Sequence, residues 1–94
     1  PKNPRGRRIM YSIVLPVFNE GPIIVDLLIA VEETWQTVTD DYEVIVVNDG
    51  SRDDTQFNVS SYAEGNPKVR QISYDRNLGK GYALKTGYKN CLVD

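Results

Sequence analysis

Apolar residues collect along the chain in three short runs, Ile9–Val17, Glu43–Val47 and Val69–Tyr74, each rich in β-branched side chains. Runs of this length, each closed by polar residues or glycine, predict buried strands. Between the first two runs, Ile23, Ile24, Leu27, Leu28, Val31, Trp35 and Val38 recur at helical spacing. Pro22 suits the first turn of that helix, where no backbone donor is needed. A second helix is expected from about Ser51, because Ser51 and Asp54 have the S-x-x-D spacing of a capping box. "EGNP" (Glu64–Pro67) closes it, and "RNLGKG" leads into a third helix from about Tyr82 to the C-terminus.

The resulting order, β-α-β-α-β-α, predicts the α/β class: a three-layer α/β/α arrangement with a parallel sheet and helices on both faces. Ligands of such sheets sit beyond the carboxyl ends of the strands. "PVFNEG", "NDGSRDD" and "DRNLGKG" all fall at those ends.

Composition narrows the chemistry. The 94 residues suit one domain, with 40% apolar and 26% charged residues and a net charge of −2. That balance gives no general attraction to nucleic acid or to an anionic membrane. Cys91 is the single cysteine, so an internal disulfide is excluded and a reducing, cytoplasmic compartment is expected. Histidine is absent, which excludes Ser-His-Asp or Cys-His catalysis and any His-based metal site. No apolar run approaches the ~20 residues that span a bilayer. "PKNPRGRR" carries four positive charges and reads as a solvated basic arm, residues 1–8, ahead of a domain over 9–94.

Two phosphate-binding patterns fail. The first β-α turn holds a single glycine, so it is not G-x-G-x-x-G, and no G-x-x-x-x-G-K-[ST] occurs. In "GKGYAL", Leu84 stands where a third small residue belongs. The acidic groups suggest other contacts. Glu20, near the start of helix 1, suits the hydroxyl or N–H donors of a ribose or base. Asp49, at a solvent-facing strand tip, suits a base edge that presents N–H, as uracil and guanine both do. Its replacement by alanine is then expected to cost under ~1 kcal/mol of stability. Pro16 and Phe18 would wall the base. Asp53 and Asp54 read as helix caps, whereas for Glu20 and Asp49 capping and ligand binding stand level.

"SIVLPVFNEG", "YEVIVVNDGSRDDT" and "RNLGKGYALKTGY" together resemble, in order and spacing, the N-terminal half of the family 2 glycosyltransferases. The branch of dolichol-phosphate mannose synthases and polyprenyl-phosphate sugar transferases looks most similar. The resemblance implies a GT-A fold and an inverting enzyme that uses a UDP- or GDP-sugar, with a lipid-phosphate acceptor at the cytoplasmic face of a membrane. It assigns Pro16, Phe18 and Glu20 to the first donor loop, and Val47 and Asp49 to the nucleotide. The third loop falls on Arg76, Asn77 and Lys80. Lys80 is the cation best placed for the diphosphate, while Arg76 pairs either there or with Asp75 or the sheet rim. Two positions depart from the pattern: Asn48 replaces the first of two aspartates, and Asp54 replaces a glycine.

The family's D-x-D motif, which holds a divalent cation (Mg or Mn), has no counterpart, since no two aspartates flank a single residue. Neither catalytic residues nor metal ligands are therefore expected within this chain, and it reads as a nucleotide-binding half that stops before the metal motif. With a strand order of 3-2-1, strand 1 would lack a neighbour, and self-association through Tyr11–Leu15 is expected. The rival readings are a non-catalytic nucleotide-binding or flavodoxin-like regulatory module, and an interaction domain without a small ligand.

Overall fold

A computed structural model describes residues 11–92. The expected basic arm, the start of the first strand at Ile9 and the last two residues lie outside the described segment. Three strands, β1 (Tyr11–Val17), β2 (Tyr42–Asp49) and β3 (Val69–Tyr74), alternate with three helices, α1 (Ile24–Gln36), α2 (Thr55–Ala63) and α3 (Lys80–Lys89). The sheet is parallel with β2 central, in the order β1-β2-β3, which is 3-2-1 counted from the other edge. Tyr11 pairs with Tyr42 and Val17 with Asn48, while Val44 pairs with Val69 and Asp49 with Tyr74.

Every residue of β2 is buried. A central parallel strand is covered on both faces, which is why its sequence is a continuous apolar run. Tyr42, Val44 and Val46 face one core with Ile24 and Leu28 of α1 and Val59 of α2. Ile45 and Val47 face the other with Ala83 of α3. Both crossovers step in the same direction, so right-handedness puts α1 and α2 on one face. The third helix lies on the opposite face, against β1 and β2. The two faces of the sheet are thus covered by different helices, and ligands of such sheets bind beyond the carboxyl ends of the strands.

Two buried carboxylates pin the amino end of the sheet. Glu32 accepts hydrogen bonds from Tyr42 Oη (2.6 Å), Tyr62 Oη (2.6 Å) and Asn66 Nδ2 (2.8 Å). Burial alone would raise its pKa, but these donors and the charge of Lys68 outweigh it and hold the carboxyl below its ordinary value. Burial and the Glu32 contact push Tyr42 up to about 12. Glu43 accepts from Ser12 Oγ (2.6 Å), Leu92 N (2.6 Å) and Arg70 Nε (3.1 Å), which ties the residues after α3 to the sheet.

Two helix starts differ from the sequence reading. The second helix begins at Thr55 rather than near Ser51, and its N-cap, Asp54, makes no side-chain cap. The expected capping box is absent because Ser51 Oγ accepts from Asn19 N (2.9 Å) instead. The third helix begins at Lys80, two residues before Tyr82, because the Asp49 carboxylate fixes the amides of Leu78 and Gly79 immediately ahead of it.

Candidate functional site

The carboxyl ends of β1 and β2 open into a cleft of about 290 Å³ lined by Pro16, Val17, Phe18, Glu20, Asp49, Lys80 and Ala83. Three loops leave the carboxyl ends of the strands here: loop 1 (18–23), loop 2 (50–54) and loop 3 (75–79).

Loop 1 has little regular structure of its own, and loop 2 holds it. Asn19 has φ 51°, a left-handed conformation that Asn tolerates better than most residues. Its amide donates to Ser51 Oγ (2.9 Å), and its Oδ1 accepts from Arg52 N (2.8 Å). Glu20 N donates to Thr55 Oγ1 (2.9 Å), and Gly21 N donates to Asp53 Oδ2 (3.1 Å). Asp53 Oδ1 accepts from Thr55 N (2.9 Å) and also from the Thr55 hydroxyl. These Thr55 contacts hold the Asp53 carboxyl below its ordinary pKa. With its backbone so anchored, loop 1 leaves Phe18 43% exposed, with an apolar face toward solvent.

Loop 3 is held from the tip of β2. Asp49 is only 4% exposed. Its Oδ1 accepts from Leu78 N (2.8 Å), and its Oδ2 accepts from Gly79 N (3.0 Å) and Asn77 Nδ2 (2.9 Å). Burial pushes this carboxyl up, yet the two amides and the adjacent Tyr74 hydroxyl outweigh it and hold the pKa below its ordinary value. The Tyr74 hydroxyl is itself buried beside Asp49, with no hydrogen bond of good geometry among the described residues. Burial, and then the Asp49 charge, push the Tyr74 pKa upward.

Five of the residues expected at the site, Pro16, Phe18, Glu20, Asp49 and Lys80, line the same cleft. Val47 and Arg76 do not. Val47 packs in the core with Ile45 and Ala83, two positions before Asp49 on the same face of β2, and so lies beneath the cleft floor. Arg76 is exposed, and no ion pair holds it among the described residues. The solvent-facing placement expected for Asp49 is also corrected: the end of the strand is covered by loop 3.

Sequence reasoning missed Val17 and Ala83 as lining residues. Ala83 follows Lys80 by one helical turn and is the small residue of "GKGYAL" that meets the sheet, a signal sought at Leu84 instead. The clamp of Asn19, Ser51, Asp53 and Thr55 was also missed, because Ser51, Asp53 and Asp54 read in sequence only as caps of α2.

Chemically, the cleft combines an apolar wall, a carboxylate whose lone pairs are mostly in use, and two charged side chains, those of Glu20 and Lys80. Among the described residues, neither the Glu20 carboxylate nor the Lys80 ammonium makes a hydrogen bond or ion pair. Among the described residues, no three His, Cys, Asp or Glu side chains converge in a group able to hold a metal ion. Asp49, the buried carboxylate of the cleft, is surrounded by N–H donors, which is an anion's environment and not that of a cation ligand. No helix among the described residues is long and apolar enough to cross a membrane.

The sequence profile described as "Glycosyl transferase family 2" matches residues 12–94. The chain belongs to this family. Among the relatives of this family 2 chain is the dolichyl-phosphate beta-glucosyltransferase of Trichomonas vaginalis, 36% identical over 81 residues, which are 81% of this chain and 24% of that protein. The undecaprenyl-phosphate 4-deoxy-4-formamido-L-arabinose transferase of Pseudomonas fluorescens is 34% identical over 84 residues, covering 88% of this chain and 25% of that one. In three dimensions the chain is similar to the mannosyltransferase PcManGT from Pyrobaculum calidifontis, solved in complex with GDP-Man and Mn2+. The TM-score is 0.74 at 26% identity, covering 95% of this chain and 26% of that one. The family 2 chain thus spans about a quarter of the length of these relatives. The likeness supports divalent cation use in the family, while the residues described here do not form such a site.

Proposed function

We propose that the cleft binds the nucleotide part of a UDP- or GDP-linked sugar, and that the chain supplies the donor-recognition portion of a transferase acting on a polyprenyl or dolichyl phosphate. The observation that carries this reading is the convergence of Phe18, Glu20, Asp49 and Lys80 on one cleft at the carboxyl ends of β1 and β2. Pro16 and Phe18 offer an apolar surface to the base. Glu20 is free to accept from hydroxyl or N–H donors. A carboxylate has about four acceptor positions, so Asp49, with three in use, keeps one for an N–H of the base. Lys80 is the first residue of α3, where its charge adds to the positive end of the helix dipole and suits a diphosphate. The lipid-phosphate acceptor rests on the names of the related transferases.

Calorimetric titration with UDP, GDP and their sugar derivatives tests the reading. Saturable binding of one nucleoside diphosphate is expected, with the bare nucleoside weaker. Sugar transfer is not expected from this chain alone, because the acid–base and cation-holding groups such transfer needs are not gathered in the cleft. Absence of binding by either nucleotide would overturn the proposal.

A further inference from the structure

Asp53 lines no part of the cleft, yet it stands behind the loop that does. One carboxylate oxygen takes the Thr55 amide and hydroxyl at the start of α2, and the other takes the Gly21 amide of loop 1. The Thr55 hydroxyl donates to Asp53 and so has its lone pairs left to accept the Glu20 amide at 2.9 Å. Two successive amides of loop 1 are thus held by one carboxylate, directly and through one hydroxyl. These contacts join residues more than thirty positions apart in the chain, so local propensity does not supply them.

We propose that Asp53 is a positioning residue for donor binding, setting through Gly21 and Thr55 the placement of Phe18 and Glu20 in the cleft. This rests on the donor-site reading above and deepens it. Everything that meets the Asp53 carboxylate is a donor. A carboxylate accepts on both sides, whereas an amide in either orientation sets its NH2 against an N–H. Asp53→Asn is therefore not a silent isostere. Turned to preserve the Thr55 contacts, it breaks the link to Gly21 and leaves the start of α2 intact.

Electrostatics alone points the opposite way. Removing a negative charge near an anionic ligand should tighten its binding. Weaker binding by Asp53→Asn therefore separates positioning from charge.

The test titrates the native chain, Asp53→Asn, Thr55→Val and Thr55→Ser with UDP and GDP by calorimetry, below the melting temperature of each. Amide hydrogen exchange at Glu20 and Gly21 is measured without ligand. Asp53→Asn should bind about tenfold more weakly, the effect of losing a hydrogen bond to a charged group, with faster exchange at Gly21. Thr55→Val should weaken binding and speed exchange at Glu20, and Thr55→Ser should restore both. Unchanged or tighter binding by Asp53→Asn, while the native chain binds, overturns the positioning role alone. So does unchanged exchange at Gly21. No binding by the native chain overturns the donor-site reading and this proposal with it.

Discussion

The Asp49 carboxylate and the Leu78 backbone amide meet at 2.8 Å, joining the tip of the central strand to a loop 29 residues further along. Gly79 N and Asn77 Nδ2 close on the same carboxylate at 3.0 and 2.9 Å. Loop 3, and with it the start of α3 and Lys80, takes its position from this one side chain.

Asp49→Ala should therefore destabilise the fold by about 1–3 kcal/mol, since it removes a buried acceptor from three part-buried donors and not an exposed acid. Urea denaturation measures this directly. A midpoint within error of the native chain would mean that loop 3 holds itself.

Acid should weaken the amino end of the sheet through Glu32. Its pKa in the folded chain is held below the ordinary 4.5, so its contribution is complete above that pH and is lost as the pH falls through the folded value. Stability should decline as the pH falls below the ordinary 4.5, and more gently in Glu32→Gln. Glu32→Ala leaves two tyrosine hydroxyls and an Asn66 amide without their acceptor, and should cost about 2–4 kcal/mol at neutral pH. Melting curves across this range provide the check.

Gly50 turns β2 into loop 2 at φ 71°. A Cβ there would come within 2.6 Å of Arg76 Cα and closer still to the Arg76 carbonyl carbon and the Asn77 nitrogen. Backbone cannot yield as a side chain does, so Gly50→Ala should cost at least ~2 kcal/mol through strain and overlap together. A variant that melts with the native chain would show that loop 3 shifts freely away from loop 2.

Gly87 offers a test with an opposite naive expectation. In an exposed helix, Gly→Ala gains roughly 1 kcal/mol. Here the new methyl would run into Val14 and come within 3.1 Å of Val47 Cγ2, where α3 lies against the sheet. Gly87→Ala should lower the melting temperature by several degrees, as overpacking in a small domain does. A rise would mean that α3 can lift from β1.

Lys80 should make the binding of a nucleoside diphosphate salt-sensitive, while a bare nucleoside stays nearly indifferent. Lys80→Ala should remove that difference. Equal salt responses of the two ligands in the native chain would exclude Lys80 from the diphosphate.

The sequence by itself determined the order of elements and the parallel sheet, because both follow from local periodicity and from the right-handedness of crossovers. The run Glu43–Val47 could only be a strand covered on both faces, and Ile24, Leu28 and Val31 could only share one helical side. It also determined that Pro16, Phe18, Glu20, Asp49 and Lys80 would gather at one end, since each stands at the carboxyl end of a strand or in the segment that follows it. Tertiary structure alone decided what each polar residue does there. Ser51 meets Asn19 instead of capping α2, Asp53 meets Gly21, and Asp49 meets Leu78, across separations of 29 to 32 residues. A hydrogen bond depends on which donor arrives within 3 Å at the right angle, and no spacing rule along the chain carries that information. Packing likewise decided that Val47 and Arg76 stay outside the cleft. Val47 shares a face of β2 with Asp49 but lies one step deeper, under Ala83 of α3, and Arg76 stands exposed in loop 3.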